Sequence, residues 1–301
     1  MLFTALSSLL LCSATVVLAV PLKEEKRSGV TAVAASTIPT WTPYEWFAAA
    51  AYCTNGASTW SCGTTCQANS DFVQYAAGGD GAATPHWYVG WSPSLASIIV
   101  AHEGTDPTEF LSDLDDIEVL QSQPSTSYFP GISSGIWIHD GFLGTFESTA
   151  AQVLAGVKTV SAAKSSSKVT VVGHSLGGAL ANLDGVFLKL NIPSLTVKIV
   201  TFGEPRVGNQ AWADYASTFD ITRITHSYDP IPIVPGRALG YHHPSGEVHV
   251  NSAGTWNYCA GEDNTDTNCS TGEVPNIFVS DILDHLGPYG PSSVWMGTIY
   301  C

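Results

Sequence analysis

The run Val169-Thr170-Val171-Val172-Gly173-His174-Ser175-Leu176-Gly177-Gly178-Ala179 constrains this chain more than any other segment. Its β-branched residues predict a buried strand over 168–173, and the apolar stretch over 176–190 predicts a helix directly after it. Gly173, Ser175 and Gly177 form G-x-S-x-G at the junction. A turn that sharp leaves no room for large side chains two residues either side of the serine. It projects the hydroxyl from the carboxyl edge of a sheet, and the helix N-terminus turns its N–H groups toward any negative charge developing there. The same residues also occur as a plain glycine-rich turn with serine as an N-cap. The strand, turn and helix in sequence favour a nucleophile.

The flanking elements fit that geometry. Helices are predicted at 43–52, 142–163 and 210–219, and strands at 87–91, 97–101, 196–202 and 221–225. Strands alternating with helices imply an α/β domain whose central sheet is mostly parallel and flanked by helices on both faces. No internal repeat or low-complexity linker divides the chain.

A serine nucleophile needs a base, and the base needs an orienting carboxylate. Asp229 follows the 221–225 strand, in a loop stiffened by Pro230 and Pro232. His285 lies in a late loop, and His226, His242, His243 and His249 are its rivals. Spacing alone favours His285 only modestly.

Composition narrows the setting. Against 26 Asp and Glu stand 11 Lys and Arg, a formal charge of -15. That excludes the basic face that nucleic acid requires, and disfavours anionic lipid. Residues 2–20 are apolar or small, and Pro21 with the charged run 23–27 stops them. This reads as a signal peptide over 1–19, a candidate propeptide over 20–27 ending at Lys26-Arg27, and a catalytic domain over 28–301 of a secreted, extracellular protein with no transmembrane segment in the mature chain. Beyond the signal, Cys53, Cys62, Cys66, Cys259, Cys269 and Cys301 fit three disulfides in an oxidising compartment. Sequence alone does not choose among their pairings, although two short loops look like local closures, which would leave Cys53 to meet Cys301. No histidine sits at ligand spacing beside these cysteines, so no metal and no cofactor are expected. Asn268-Cys269-Ser270 is a glycosylation sequon with a cysteine at its centre.

Several motifs then stand in a familiar order: His139-Asp140-Gly141-Phe142, 173–178, Thr201-Phe202-Gly203-Glu204-Pro205-Arg206-Val207-Gly208-Asn209, Ile224-Thr225-His226-Ser227 and Asp284-His285. Together, from Ala49 to Cys301, they resemble the fungal-type class 3 lipases, a family that includes feruloyl esterases. The resemblance implies an α/β-hydrolase fold, with Ser175 as nucleophile, Asp229 as acid and His285 as base. It implies disulfides Cys53–Cys301, Cys62–Cys66 and Cys259–Cys269. It also implies an oxyanion hole from Thr105 and the Leu176 N–H. His102 and Glu103 depart from the family pattern, which has an aromatic residue and an arginine there.

After Thr105 the family carries a lid. Here it would span 106–114, with Phe110, Leu111 and Leu114 on one helical face and an acidic face opposite. The expected activity is hydrolysis of acyl esters, most simply lipid esters at a lipid–water interface. A feruloyl-type esterase of plant cell wall is the alternative. A catalytically silent relative that binds lipid or wall ester is the third reading, and the intact Ser175, Asp229 and His285 weigh against it.

Overall fold

The computed structural model describes residues 29–54, 59–105 and 120–301. The expected signal peptide, the propeptide and the lid residues Phe110, Leu111 and Leu114 lie outside the described residues.

At the centre of the sheet runs β7 (Lys168–His174), parallel to β4 (Ser97–His102) on one side and β8 (Thr196–Phe202) on the other. Further out, β10 (Asp220–His226) and β12 (Glu247–Val250) continue the parallel order. Strands enclosed on both faces read as continuous apolar runs. β4 is accordingly buried along its whole length, and β7 beyond Lys168. The edges differ from the mostly parallel expectation. β3 (Trp87–Ser92) and β2 (Val73–Gly78) pair antiparallel beyond β4, and β13 (Trp256–Cys259) and β1 (Val30–Ala32) do so beyond β12. Among the described residues the sheet therefore has nine strands and is mixed. A second, small sheet joins the two-residue strands β5 (Gln121–Ser122), β6 (Ile138–His139), β9 (Gly208–Asn209) and β11 (Tyr241–His242).

Alternating side chains divide the core into two layers. Val169 and Val171 face the long helix α3 (Asp140–Lys164) and the helix α4 (Leu176–Asn191), in a layer with Phe146, Val153, Val157 and Leu180. Val172, Ile99, Val200 and Phe202 face α1 (Thr42–Ala50), against Phe47 and the alanine run. α2 (Thr64–Ala68) is the short helix closed by Cys62–Cys66. α5 (Gln210–Ala216) stops short of the expected 210–219, and the chain leaves it through the turn bonds Thr218 N to Tyr215 O at 3.1 Å and Phe219 N to Ala216 O at 3.0 Å. Cys259–Cys269 closes an acidic loop in which Asn268 is exposed while the sequon's Ser270 is buried. Cys53–Cys301 ties the end of the chain to the residues just after α1, over a separation of 248 residues.

One buried group strains this core. Glu45 on α1 is fully buried, and among the described residues neither carboxyl oxygen has a hydrogen-bond partner. It packs against Gly290, where any side chain would collide with it. Burial raises its pKa from 4.5 to about 8. The fold thus holds a proton that the unfolded chain releases, so stability contributed below pH 4.5 is lost as pH rises toward 8. Glu45→Gln should melt at a higher temperature than the parent at pH 8, with the gap closing at pH 4. Equal melting curves at both pH values, by circular dichroism, would show the carboxyl to be solvated.

Candidate active site

Ser175 sits where β7 ends and α4 begins, with φ 58° and ψ -131°. Non-glycine residues reach that region only when their surroundings hold them there. Here the holding groups are explicit. The Ser175 N–H donates to Phe202 O on β8 at 3.0 Å, and its carbonyl accepts from Gly178 N at 2.8 Å. A Cβ on Gly173 would collide with the Gly177 backbone, and one on Gly177 with the backbone of His102 and Glu103. Any larger residue at either position would push the helix off the strand.

His285 and Asp229 meet at the same sheet edge. Asp229 lies just beyond β10, and its Oδ1 accepts from the Ile231 N–H at 2.8 Å. His285, on the short helix α6 (Leu283–Leu286), donates from Nδ1 to Asp229 Oδ2 at 2.9 Å. Both are buried. That bond fixes the neutral tautomer with its free lone pair on Nε2. His285 Nε2 and Ser175 Oγ are both buried without a hydrogen-bond partner among the described residues. In a ligand-free site that pair commonly closes only around substrate. Gly203 brings the two residues' elements together: it follows Phe202, and a Cβ there would lie 2.8 Å from the His285 ring.

The rival histidines are spoken for elsewhere. His249 bonds Thr225 Oγ1 at 2.8 Å and Glu273 Oε2 at 2.7 Å. His243 donates to Pro232 O at 2.8 Å, His226 donates to Asp284 O at 3.0 Å, and His242 lies 3.4 Å from Asp263.

A support shell that the sequence did not reveal surrounds the pair. His174 stacks on His285, ring centroids 4.3 Å apart, and donates from Nε2 to the His285 carbonyl at 2.8 Å. Its Nδ1 accepts from the Tyr52 hydroxyl at 2.6 Å, and the Tyr289 hydroxyl also donates to the His285 carbonyl, at 3.0 Å. Arg206 clamps the loop after Asp229, donating to Ile233 O and to Pro235 O at 3.0 Å, while Asp263 holds its Nε at 2.8 Å. These contacts join residues up to 122 positions apart; His174 and Arg206 lie in motifs visible in the sequence, but the pairings between them are not.

Burial sets the protonation states. It pushes the His285 pKa from 6.5 down to about 3, and His174 well below 6.5, the latter helped by the neighbouring His285 ring. The Asp229 carboxyl is pushed up by burial, against the lowering effect of the Ile231 N–H.

Beside Ser175, Gly104 fits only as glycine: a Cβ would meet the His174 carbonyl at 2.6 Å and the Ser175 Cβ at 2.9 Å. Thr105 and Glu103 line the adjoining pocket, a volume of about 570 Å³. Leu176 is the first residue of α4, and first-turn N–H groups have no intrahelical acceptor. His102 points away from the pocket and bonds Asp184 of α4 at 2.6 Å, both fully buried. Glu103 accepts from the His86 N–H at 2.8 Å, and burial raises its carboxyl. A cluster of Glu247, Cys259 and Cys269 has ligand-like spacing, but its cysteines are joined in a disulfide and offer no thiolate. Across the pocket the wall is apolar, with Ile282, Leu283, Leu286 and Ile299.

The chain is similar to known proteins in sequence and fold. The family model "Lipase (class 3)" matches residues 99–239. A secreted mono- and diacylglycerol lipase of Malassezia globosa is 28% identical over 198 residues, 64% of this chain and 61% of that protein. The chain thus aligns with less than two thirds of the length of that curated relative. The solved lipase II of Rhizopus niveus superposes with a TM-score of 0.77 at 29% identity, covering 90% of this chain and 99% of that one. A solved triacylglycerol lipase, its catalytic centre described as a serine protease triad, gives 0.72 at 27% identity, covering 86% and 96%.

The protonation argument has a direct readout. The ¹⁵N shifts of the His285 ring should stay at their neutral, Nδ1-protonated values from pH 7 down to about pH 3. Titration near 6.5 would mean that the ring is solvated.

Proposed function

We propose that this chain, whose residues 99–239 match the class 3 lipase family, is a secreted serine hydrolase of acylglycerol esters, working through an acyl-enzyme on Ser175. The observation that carries the reading is the buried His285–Asp229 pair at 2.9 Å beside a serine held at φ 58°. His285 Nε2 takes the Ser175 proton as Oγ attacks the ester carbonyl, and Asp229 stabilises the imidazolium so formed. The negative charge on the former carbonyl oxygen falls to the Leu176 and Thr105 N–H groups, with the Thr105 hydroxyl as a further donor. His285 then returns its proton to the departing alcohol, and water repeats the sequence on the acyl-enzyme. The pocket's apolar wall suits an acyl chain, which favours lipid esters over hydroxycinnamoyl esters. The Malassezia relative, a secreted mono- and diacylglycerol lipase, points to partial glycerides and to export. Among the described residues no helix is long and apolar enough to cross a membrane.

Ser175→Ala should fold normally and lose hydrolysis of mono- and diacylglycerol emulsions by roughly 10⁴-fold or more. An organophosphonate should label the parent at Ser175 and leave this variant unmodified. Near-parental turnover would sink the nucleophile assignment, and a strong preference for methyl ferulate would sink the lipid one.

His285→Ala should be dead at every pH, whereas the alanine variants of His242, His243 and His249 should keep the parental pH profile. Because burial lowers the His285 pKa, the neutral base persists below pH 6.5, and kcat should fall only as pH drops toward about 3. Activity in His285→Ala with loss in one of the others would reassign the base.

Thr105→Val should lower kcat by about 10²–10³-fold if its hydroxyl donates to the oxyanion. The change belongs in kcat rather than KM, since the bond strengthens only in the transition state. An unchanged kcat would leave only the backbone N–H in that role.

A further inference from the structure

We propose that the turn Ile277–Val279, with Phe278 at its tip, is a fixed anchor that inserts into an uncharged lipid surface beside the pocket mouth. The proposal rests on the acylglycerol reading above and goes beyond it, because it names a contact separate from the 106–114 segment and from the catalytic groups.

Phe278 is 91% exposed, flanked by two further exposed aliphatic residues, Ile277 and Val279. Exposed apolar residues grouped in this way mark interaction surfaces more often than isolated ones do. The turn's backbone is also prepared for leaving water. The Phe278 N–H donates to Asn276 Oδ1 at 3.0 Å, the Val279 N–H to Asn276 O at 3.3 Å and the Ser280 N–H to Ile277 O at 3.4 Å. The Ser280 hydroxyl donates to Ile277 O at 2.7 Å. A tip whose N–H groups are bonded within the turn avoids the penalty for burying bare polar groups in hydrocarbon.

Charge selects the surface. Residues 274–301 contain no Lys or Arg, and their carboxylates are Asp281 and Asp284. Each is occupied by a backbone N–H: Asp281 by that of Leu283 at 2.9 Å, Asp284 by that of Tyr228 at 3.0 Å. With a chain charge of -15, an anionic membrane would repel the protein, while the inserting residues Ile277–Val279 themselves carry no charge. Position completes the case. The same stretch leads into Leu283, 63% exposed, and across the pocket mouth stands Ile299, 70% exposed; both line the pocket. Seating Phe278 in a lipid surface would bring that mouth to the surface, where the ester resides.

The test uses the full chain carrying Ser175→Ala, so that lipid is bound and not consumed. Its partition onto phosphatidylcholine vesicles containing diacylglycerol is measured by co-sedimentation. Adding Phe278→Ser should weaken partition by about tenfold or more, the scale of withdrawing one aromatic side chain from an apolar phase. Phe278→Leu should retain most of it. Replacing part of the phosphatidylcholine by phosphatidylglycerol should not strengthen binding. With Ser175 intact, Phe278→Ser should hydrolyse soluble p-nitrophenyl acetate at the parental kcat/KM. Partition unchanged by Phe278→Ser would overturn the anchor, and so would stronger binding to the anionic vesicles. A loss of soluble-ester turnover matching the loss of partition would also overturn it, by placing the ring in the service of the pocket. Failure of the parent to hydrolyse acylglycerol, alongside Phe278-dependent partition, would remove the lipase reading and leave the anchor standing.

Discussion

The close approach of α4 to β7 is the contact on which the rest of the molecule depends. Gly173 and Gly177 let a helix backbone nearly touch a strand end, and the turn between them forces Ser175 to φ 58°. Such a conformation costs on the order of 1–3 kcal/mol and persists only where neighbours over-determine it. The neighbours are the parallel strands on each side: β8 receives the Ser175 N–H, and β4 runs on into Gly104 against the serine. The central strand order and the strained serine are thus one constraint. Loosening the sheet at β7 would relax the turn, and enlarging either glycine would displace the helix whose first N–H groups face the pocket.

Around that point the protein buries ionisable groups, and loss of water disfavours their charged forms. His285 and His174 are held below their ordinary values by loss of water, and the Asp229 carboxyl is raised by the same cause. A neutral imidazole, its tautomer set by Asp229 and its carbonyl held by His174 and Tyr289, can accept a proton without first giving one up. The arrangement gives up stability elsewhere: buried polar atoms on Ser175, His285, His102 and Asp184 lack partners among the described residues. Unmade hydrogen bonds at a site are what a substrate can complete.

What sequence disclosed, and what it did not, follows from the range of the interactions. Buried parallel strands advertise themselves through β-branched runs, so β4, β7, β8 and β10 are legible, as are α3 and α4 through their periodicity. β2 is not, because alternate residues of Val73–Gly78 are exposed and it pairs with only one neighbour. β12 and β13 carry His249 and Asn257 in mid-strand, polar residues whose burial depends on partners such as Thr225. β3 is legible as a strand at 87–91, but its antiparallel pairing is not, and the outer strands β2, β13 and β1 give no sequence signal. At the site, Ser175 was legible because a local turn demands glycine on both sides. The Tyr52–His174 bond spans 122 residues and the His102–Asp184 bond 82, distances over which a single sequence carries no pairing signal.

His102 and Glu103 show how a departure from a family pattern can be absorbed. An acidic side chain beside an oxyanion hole should oppose the charge that develops there. The structure separates the two residues of the pair to opposite sides of the strand end. His102 turns under α4 and is matched by Asp184, so it contributes nothing to the pocket's field beyond a buried dipole. Glu103 faces the pocket, but it accepts the His86 N–H and is raised by burial, with the nearby Asp80 adding to the effect. Both influences favour the neutral acid as pH falls, while His285 stays unprotonated down to about pH 3. On the proposed mechanism the two titrations work in the same direction. Protonation of Glu103 as pH falls removes a charge that opposes the oxyanion, so the electrostatic penalty of an acid at this position shrinks with falling pH.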